Sequence, residues 1–262
     1  MIKYVHFARI AFFDHIRNRV RLVTRFMVFT VLAWVMIAMW KMIYLSGHGA
    51  AGVTLTDMSW YNGIVQMMFF LSPRLFVVID EDVRSGNIGY FLGRPMPYLW
   101  MRFAEGMGAL GVHILIFYGL GIPFLYFYIG EWPSLGAVVL CPALFALAVG
   151  SVLHLLMQIC CGLSTFWTDD AIFIYHAYQK FILLLGGVYI PVSLYPEAFF
   201  PDLLQLLPFA ALAGLPSQLV LDPSSSSIAF VLLLQCVWGG LIVFGLLRLY
   251  AVCLKKVELN GG

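Results

Sequence analysis

Five ionisable side chains lie inside apolar runs of the sequence, and they are the first candidates for chemistry. A titratable group in hydrocarbon is costly, so it is commonly kept there to move a proton, hold an ion or recognise a substrate. A carboxylate and an imidazole are also the groups that act as general acid and base. Placement near the membrane interface, or a hydrogen bond to a neighbouring helix, explains them equally well, and both interpretations stay open. The five are Glu105, His113, His154, His176 and Lys180.

The spacing of these residues favours a polar patch over a catalytic pair. His176 and Lys180 are four residues apart and therefore share one face of a helix. Glu105 and His113 are about two helical turns apart, which does not place them within hydrogen-bond reach of each other. A membrane-embedded enzyme acting on a lipid-like substrate is therefore the alternative function. The residues that we predict as candidates for lining a substrate pathway through the membrane are Glu105, Tyr175, His176, Gln179 and Lys180.

The sequence lacks the common motifs of nucleotide, metal and nucleophile sites. It contains no GxxxxGK[ST] phosphate loop, no HExxH, no GxSxG and no CxxC. Its five cysteines fall within or at the ends of apolar runs, without the spacing of metal ligands, which indicates core thiols. We therefore predict no catalytic residue, no metal site and no cofactor in this chain.

Composition places the chain in a membrane. Hydrophobic residues make up 62% of the 262 residues, charged residues 11%, and the mean hydropathy is +0.93. This length accommodates about six spans of roughly 20 residues with their connections. No cleavable secretory signal is predicted. The expected fold is an all-α membrane protein with one transmembrane domain, residues 26–262, preceded by a surface helix.

Residues 1–25 are predicted to form an amphipathic helix on the membrane surface. Apolar residues between Ile2 and Val20 fall on one face, and most of the charged residues between Lys3 and Arg25 fall on the other. Arg9 and Arg19 depart from this pattern, but their long side chains can reach the lipid headgroups. Contact with a cytoplasmic partner and a plain interfacial anchor are both consistent with this pattern. The predicted spans that follow are residues 26–45, 60–79, 102–128, 135–163, 171–191 and 228–252.

Residues 79–101 form the only long polar interruption between two strongly apolar runs. Asp80, Glu81 and Asp82 begin it, and Arg84 follows. Acidic residues favour a helix N-terminus, so the pattern predicts a short charged helix that opens at these acids and stops before two downstream prolines. A helix gripped by a soluble partner and an ordinary solvated loop both fit this stretch.

A second unusual segment, residues 192–227, separates the last two predicted spans. It is apolar but contains five prolines, which are too many for one continuous helix. We predict short re-entrant helices that dip into the outer membrane surface. Backbone of this kind requires surrounding protein or water at that depth.

The basic residues predict the orientation of the chain. Six Lys and Arg residues lie in the N-terminal segment, three between residues 79 and 102, and three in the C-terminal end. Residues 47–59, 130–133 and 192–227 contain none. The positive-inside rule therefore predicts that both termini and the charged loop are cytoplasmic.

The order of these elements resembles the permease subunits of type-2 ATP-binding-cassette (ABC) exporters, in particular small six-span bacterial ones. The shared order is a surface helix, six spans, a charged loop after the second span and a proline-broken segment before the last. The matching residues are Glu81, Arg84, Ser85, Gly86, Leu92, Arg94, Pro95, Phe166, Trp167, Gly186, Gly187, Pro191, Tyr195, Pro196, Leu207, Pro208, Phe209 and Pro216.

This resemblance implies a set of partners. The chain would pair with a second permease subunit, identical or paralogous, in membrane lipid and would bind separate ABC ATPase subunits that carry ATP and Mg²⁺. It would reside in a bacterial inner membrane and act in export, but the resemblance does not indicate what is exported. The expectation of an amphipathic or lipid-like substrate comes from the many Phe, Tyr and Trp residues, most of which lipid contact and helix packing also explain. Nucleic acid is not an expected partner.

The resemblance also implies roles for individual segments. Residues 81–92 would be a coupling helix docked on the ATPase, with the N-terminal helix as a second contact. The second and fifth spans would line the pathway, and the segment after Pro191 would cap it. The implied ATPase-coupling residues are Asp80, Glu81, Asp82, Arg84, Ser85, Gly86, Tyr90, Leu92 and Arg94. The implied outer-gate residues are Pro191, Tyr195, Pro196 and Phe209.

Overall fold

A computed structural model of the chain describes residues 2–50, 52–92, 96–168 and 170–261. Within these ranges the chain is all-helical and contains no strand. The α-helices are α1 (Ile2–Arg17), α2 (Arg19–Leu45), α3 (Leu55–Leu71), α4 (Leu75–Arg84), α5 (Asn87–Leu92), α6 (Tyr98–Ile116), α7 (Ile122–Ile129), α8 (Leu140–Leu163), α9 (Ala171–Leu185), α10 (Pro201–Gln205), α11 (Leu215–Gln218) and α12 (Ser225–Gly261).

Among the residues that the structure describes, five helical segments are long and apolar enough to cross a membrane. They are Arg19–Leu45, Leu55–Arg84, Tyr98–Ile129, Ala137–Phe166 and Ser225–Lys256. The fifth predicted span corresponds to α9, which has only 15 residues. At 1.5 Å per residue it is about 22 Å long, shorter than the roughly 30 Å hydrocarbon core. Five spans are therefore supported, and a sixth stays a prediction.

The N-terminal helix ends earlier than the sequence indicates. α1 stops at Arg17, and Asn18 is the N-cap of α2. Its side-chain oxygen accepts a hydrogen bond from the Arg21 N–H, which favours the start of a new helix at Arg19. α1 lies alongside α6, and the two backbones meet where a Cβ on Gly108 would be only 2.0 Å from the Ala8 carbonyl oxygen. α1 is therefore packed against the bundle along one side.

α3 lies at the centre of the bundle. Every residue from Met58 to Met68 is buried, enclosed mainly by α2, α7, α8 and α11. Pro73, which has no N–H and cannot extend the α3 hydrogen-bond ladder, separates α3 from α4. Between residues 58 and 68, α3 therefore has no exposed face. The second predicted span exposes side chains only near its end, among them Val77 and Val78 of α4, whereas α9 exposes His176 and Lys180.

The acidic stretch adopts a different structure from the one the sequence predicts. Asp80, Glu81 and Asp82 do not open a helix; they lie near the end of α4. The reason is that α4 begins earlier, where Leu75, Phe76 and Ile79 bury its apolar side. Gly86, with φ +75°, ends α4, and the separate short helix is α5.

The segment between α9 and α12 contains one exposed part and one buried part. Residues 210–217, from a π-helical stretch into α11, are buried. Glycines permit this packing: a Cβ on Gly150 would lie 2.1 Å from the Leu212 carbonyl oxygen, and one on Gly214 would lie 2.1 Å from the Gly186 carbonyl oxygen. α10, in contrast, buries none of its residues.

The two ends of the bundle differ in their polar contacts. We call the end that carries the last turn of α4, α5, the start of α6 and the end of α12 the charged end. At the opposite end, Asp57 accepts hydrogen bonds from the Ser134 N–H (2.7 Å) and from the Ser134 and Thr54 hydroxyls. This carboxylate joins the start of α3 to the connection before α8.

Candidate functional site at the charged end

An ion-pair cluster joins α4 to α6 at the charged end. The Arg102 Nε donates to Asp82 at 2.9 Å, and its Nη1 donates to Glu105 at 2.6 Å. The Tyr98 hydroxyl also donates to Asp82. The side chains of Arg102 and Asp82 are only 11% and 10% exposed, so the pair is shielded from water. Asp82 therefore holds α4 in place and does not face outward.

A second carboxylate joins α4 to the connection between α8 and α9. Asp80 Oδ1 accepts a hydrogen bond from the Thr165 hydroxyl at 2.7 Å and from the Ala171 N–H at 3.1 Å. Ala171 is the first residue of α9, where an anion complements the free N–H groups and the helix dipole. Asp170 caps the same helix through the Ile172 N–H at 2.6 Å.

Removing the Asp80 carboxylate should loosen α9 from α4. We expect Asp80→Ala to lower the free energy of unfolding by about 1–3 kcal/mol, because the Thr165 hydroxyl and the Ala171 N–H lose a buried acceptor. Asp80→Asn, which retains one acceptor oxygen, should recover most of that loss. Thermal unfolding of the purified protein in detergent measures both variants. Equal stabilities for Asp80→Ala and the wild type would contradict this role.

Between these two anchors, an exposed turn projects from the charged end. Glu81, Ser85 and Gly86 are exposed, Tyr90 is 70% exposed, and the Arg84 side chain is 57% exposed. Arg84 lies 3.6 Å from Asp80, a surface pair that contributes little to stability. Of the predicted coupling residues, Asp80 and Asp82 are buried, the backbone of Leu92 ends α5, and Arg94 lies outside the described residues.

The predicted pathway candidates are divided between two places. Tyr175, Gln179 and His176 form a string on α9: Gln179 Nε2 donates to the Tyr175 hydroxyl at 3.1 Å, and Gln179 Oε1 lies 3.3 Å from His176 Nδ1. Tyr175 is buried against Phe76, whereas His176 and Lys180 are exposed. Glu105 belongs to the α4–α6 ion-pair cluster instead.

Two of the four predicted outer-gate residues, Tyr195 and Phe209, contact α9. Pro191 is buried and Pro196 is exposed. The Tyr195 hydroxyl donates to the Leu184 carbonyl at 2.9 Å, and partial burial raises the pKa of this phenol. Phe209 stacks on Phe181 with ring centroids 5.6 Å apart. The segment is therefore fastened to α9 by a hydrogen bond and by an aromatic contact.

The structure does not bring the acid–base candidates together. Glu105 bonds to Arg102, His113 bonds to the Leu71 carbonyl, and His176 lies beside Gln179. Among the described residues none of the three hydrogen-bonds to another, so no observation favours the enzymatic alternative.

Sequence reasoning did not assign Tyr98, Arg102 or Thr165 to the site. A signal for Arg102 was available: it is three residues before Glu105 and therefore shares a helix face with it.

The fold and this site define an integral membrane helical bundle that presents a charged turn at one end. The profile of the family described as "ABC-2 family transporter protein" matches residues 30–261, which is most of the chain. The chain therefore belongs to the ABC-2 transporter family and is a membrane permease subunit of an ABC transporter, a class that associates with ABC ATPase subunits. A comparison with curated proteins gave no match.

Proposed function

We propose that this chain is the permease subunit of an ATP-driven exporter in a bacterial inner membrane. It pairs with a second permease subunit, a copy or a paralogue, and with two ATPase subunits that hold ATP and Mg²⁺. The substrate is amphipathic or lipid-like. Both termini and the charged end are cytoplasmic, in keeping with the asymmetry of the basic residues.

One observation supports this proposal: the exposed charged turn lies on a helix, α4, that is fixed to two other helices by buried carboxylates. Glu81 and Arg84 are exposed, while Asp80 and Asp82, on the same helix, bind α9 and α6. A force on the turn is therefore delivered to two other helices at once. In our proposal closure of the ATPase subunits moves this turn and switches the bundle between two states.

The rest of the chain then takes the roles that this arrangement suggests. α9 lines the pathway with its exposed His176 and Lys180, and the segment after Pro191 forms re-entrant helices that cap it. α1, which packs on α6, is the second contact with the ATPase. The bundle contributes the pathway and no catalytic group, so nucleotide hydrolysis takes place on the partner chains.

Charge reversal at the exposed turn tests the docking role. We expect Glu81→Lys combined with Arg84→Glu, which keeps the net charge, to weaken ATPase binding about tenfold or more, a loss of about 1.4 kcal/mol or more. The measurements are the ATPase retained on the purified permease and the ATP hydrolysis of the complex in lipid nanodiscs. Glu197→Lys, a charge reversal at an exposed residue in the segment after α9, is the control; it changes the net charge by two units and should still retain the ATPase. Full retention of the ATPase by the double variant would contradict the docking role.

A further inference from the structure

The break between α3 and α4 is enclosed by side chains from three other helices. Pro73 removes an N–H there, so carbonyl groups at the end of α3 lack intrahelical partners. Three consecutive carbonyls, those of Phe70, Leu71 and Ser72, nevertheless accept hydrogen bonds from side chains. Each donor comes from a helix distant in sequence.

Two of the three helices supply donors to α3. The Arg25 Nη2 atom, on α2, donates to the Phe70 carbonyl at 2.9 Å and to the Ser72 carbonyl at 2.8 Å. His113 Nδ1, on α6, donates to the Leu71 carbonyl at 2.8 Å. The other ring nitrogen of His113 is buried without a hydrogen-bond partner, so this bond is the polar contact that fixes the ring.

The third helix holds the α4 side of the break. Gln158, on α8, accepts a hydrogen bond from the Leu75 N–H at 2.8 Å and donates to the Ser72 hydroxyl at 2.9 Å. Leu75 is the first residue of α4, so this carboxamide contacts both sides of the break. Gln158 is 1% exposed, and breaking its contacts would leave buried polar groups unpaired.

This break connects the most enclosed helix to the helix that carries the exposed turn. α3 is buried from Met58 to Met68, so it has little freedom to tilt. α1 reaches the same break, because the His15 ring packs edge-on against His113 with centroids 5.7 Å apart. A movement of α1 or of α4 would therefore act on the same set of hydrogen bonds at this break.

We propose that Arg25, His113 and Gln158 are positioning residues that set the angle between α3 and α4 and so transmit movement of the exposed turn to the bundle. The inference rests on the proposed function, since it requires an ATPase that moves α4. It identifies the break between α3 and α4, held by these three side chains, as the connection between the docking surface and the pathway. We call this connection the joint. Loss of one of these three side chains should leave ATPase docking intact and weaken the transmission of movement from the exposed turn to the bundle.

Hydrogen–deuterium exchange on the complete complex in lipid nanodiscs tests this joint without requiring a known substrate. Exchange is compared without nucleotide and after trapping with ATP, Mg²⁺ and vanadate. In the wild type we expect ATP-dependent changes both at residues 79–86 and at the remote residues 201–218. In Arg25→Met and Gln158→Leu we expect the first change to persist and the second to fall about three- to tenfold.

Conservative and matched variants separate this role from simple loss of structure. Arg25→Lys should retain the remote response, because both carbonyls bond to a single nitrogen of Arg25 that an ammonium can replace. Thr30→Val on α2 and Ser151→Ala on α8 remove hydroxyls that bond only within their own helices, and both should behave as wild type. If Arg25→Met does not yield a monodisperse complex, Gln158→Leu carries the test.

The outcomes distinguish this inference from the proposed function. A wild-type chain that binds no ATPase overturns both. A wild-type complex without any remote response, or Arg25→Met and Gln158→Leu complexes with a full one, overturns the joint and leaves the proposed function standing. A remote response lost in both variants and retained in Arg25→Lys supports the joint.

Discussion

Replacing Arg102 by Met is expected to lower the free energy of unfolding by about 3–5 kcal/mol, because it leaves the buried Asp82 and the partly buried Glu105 without their counter-charge. Arg102 binds Asp82 through Nε and Nη2 and Glu105 through Nη1. For a chain of this size we expect the apparent unfolding temperature to fall by about 10 °C. The temperature at which half of the monodisperse protein is lost from a size-exclusion peak measures this change.

Two variants control the interpretation of this loss. Arg84→Met also removes an arginine from the charged end, but Arg84 is exposed and its pair with Asp80 is a surface contact, so we expect a change below about 1 kcal/mol. Arg102→Lys keeps the charge but not the planar fork that reaches both carboxylates, and it should recover only part of the stability. An Arg102→Met protein as stable as Arg84→Met would show that water or rearrangement compensates the two acids.

Adding one methyl group at Gly108 should separate α1 from α6. The Cβ of Gly108→Ala would lie 2.0 Å from the Ala8 carbonyl oxygen, a backbone atom that moves only if the whole helix moves. Overpacking of this kind costs about 1–3 kcal/mol. Trypsin cleaves at the exposed Arg17 and Arg19 only when the surrounding helix opens, so their cleavage rate should rise about tenfold for each 1.4 kcal/mol lost.

Gly111→Ala is the matched control for this prediction. Gly111 lies on the same helix and also faces α1, but its Cβ would meet Phe12 at 3.6 Å, an ordinary contact. Alanine is also the better helix former by about 1 kcal/mol. We expect Gly111→Ala to be cleaved no faster than the wild type. Similar cleavage of the Gly108 and Gly111 variants would mean that α1 is not held at the close crossing.

Features that depend on local composition could be predicted from the sequence. Apolar run lengths correctly indicated an all-helical membrane protein, and the order of its elements indicated the family. Gly86 lies in the polar interruption and is of a residue type that readily adopts positive φ; it ends α4 in a left-handed conformation. His176 and Lys180 were predicted to share a face of one helix, and both are exposed on α9.

Features that depend on the neighbouring helix could not be predicted. Asp80, Glu81 and Asp82 are chemically alike and adjacent, yet one is exposed and two are buried. The difference arises because Thr165 and Ala171 face Asp80 while Arg102 faces Asp82. These partners are between 20 and 91 residues away in the sequence, beyond the reach of any local pattern.

The length of α9 could not be predicted for a related reason. The apolar composition continues to Pro191, so a full span was expected, but the helix ends at Leu185. A Cβ on Gly186 would lie 2.3 Å from the Ile182 carbonyl oxygen and 2.9 Å from the Phe209 carbonyl oxygen, and Gly187 has φ +75°. The packing of the segment after α9 therefore determines where α9 stops.

The enclosed position of α3 has a consequence for how the protein is made. Of the five segments in the described part of the chain that are long and apolar enough to cross a membrane, the one that contains α3 is the least apolar. It carries Asn62 and Gln66, both buried by other parts of the chain. A nascent α3 leaving the translocon alone would present these amides to lipid. In the folded protein α3 is covered partly by α8 and α11. The ribosome has not yet synthesised these two helices when α3 reaches the membrane. We therefore expect insertion of the second span to be completed only late in biosynthesis, after the C-terminal half of the chain has been made.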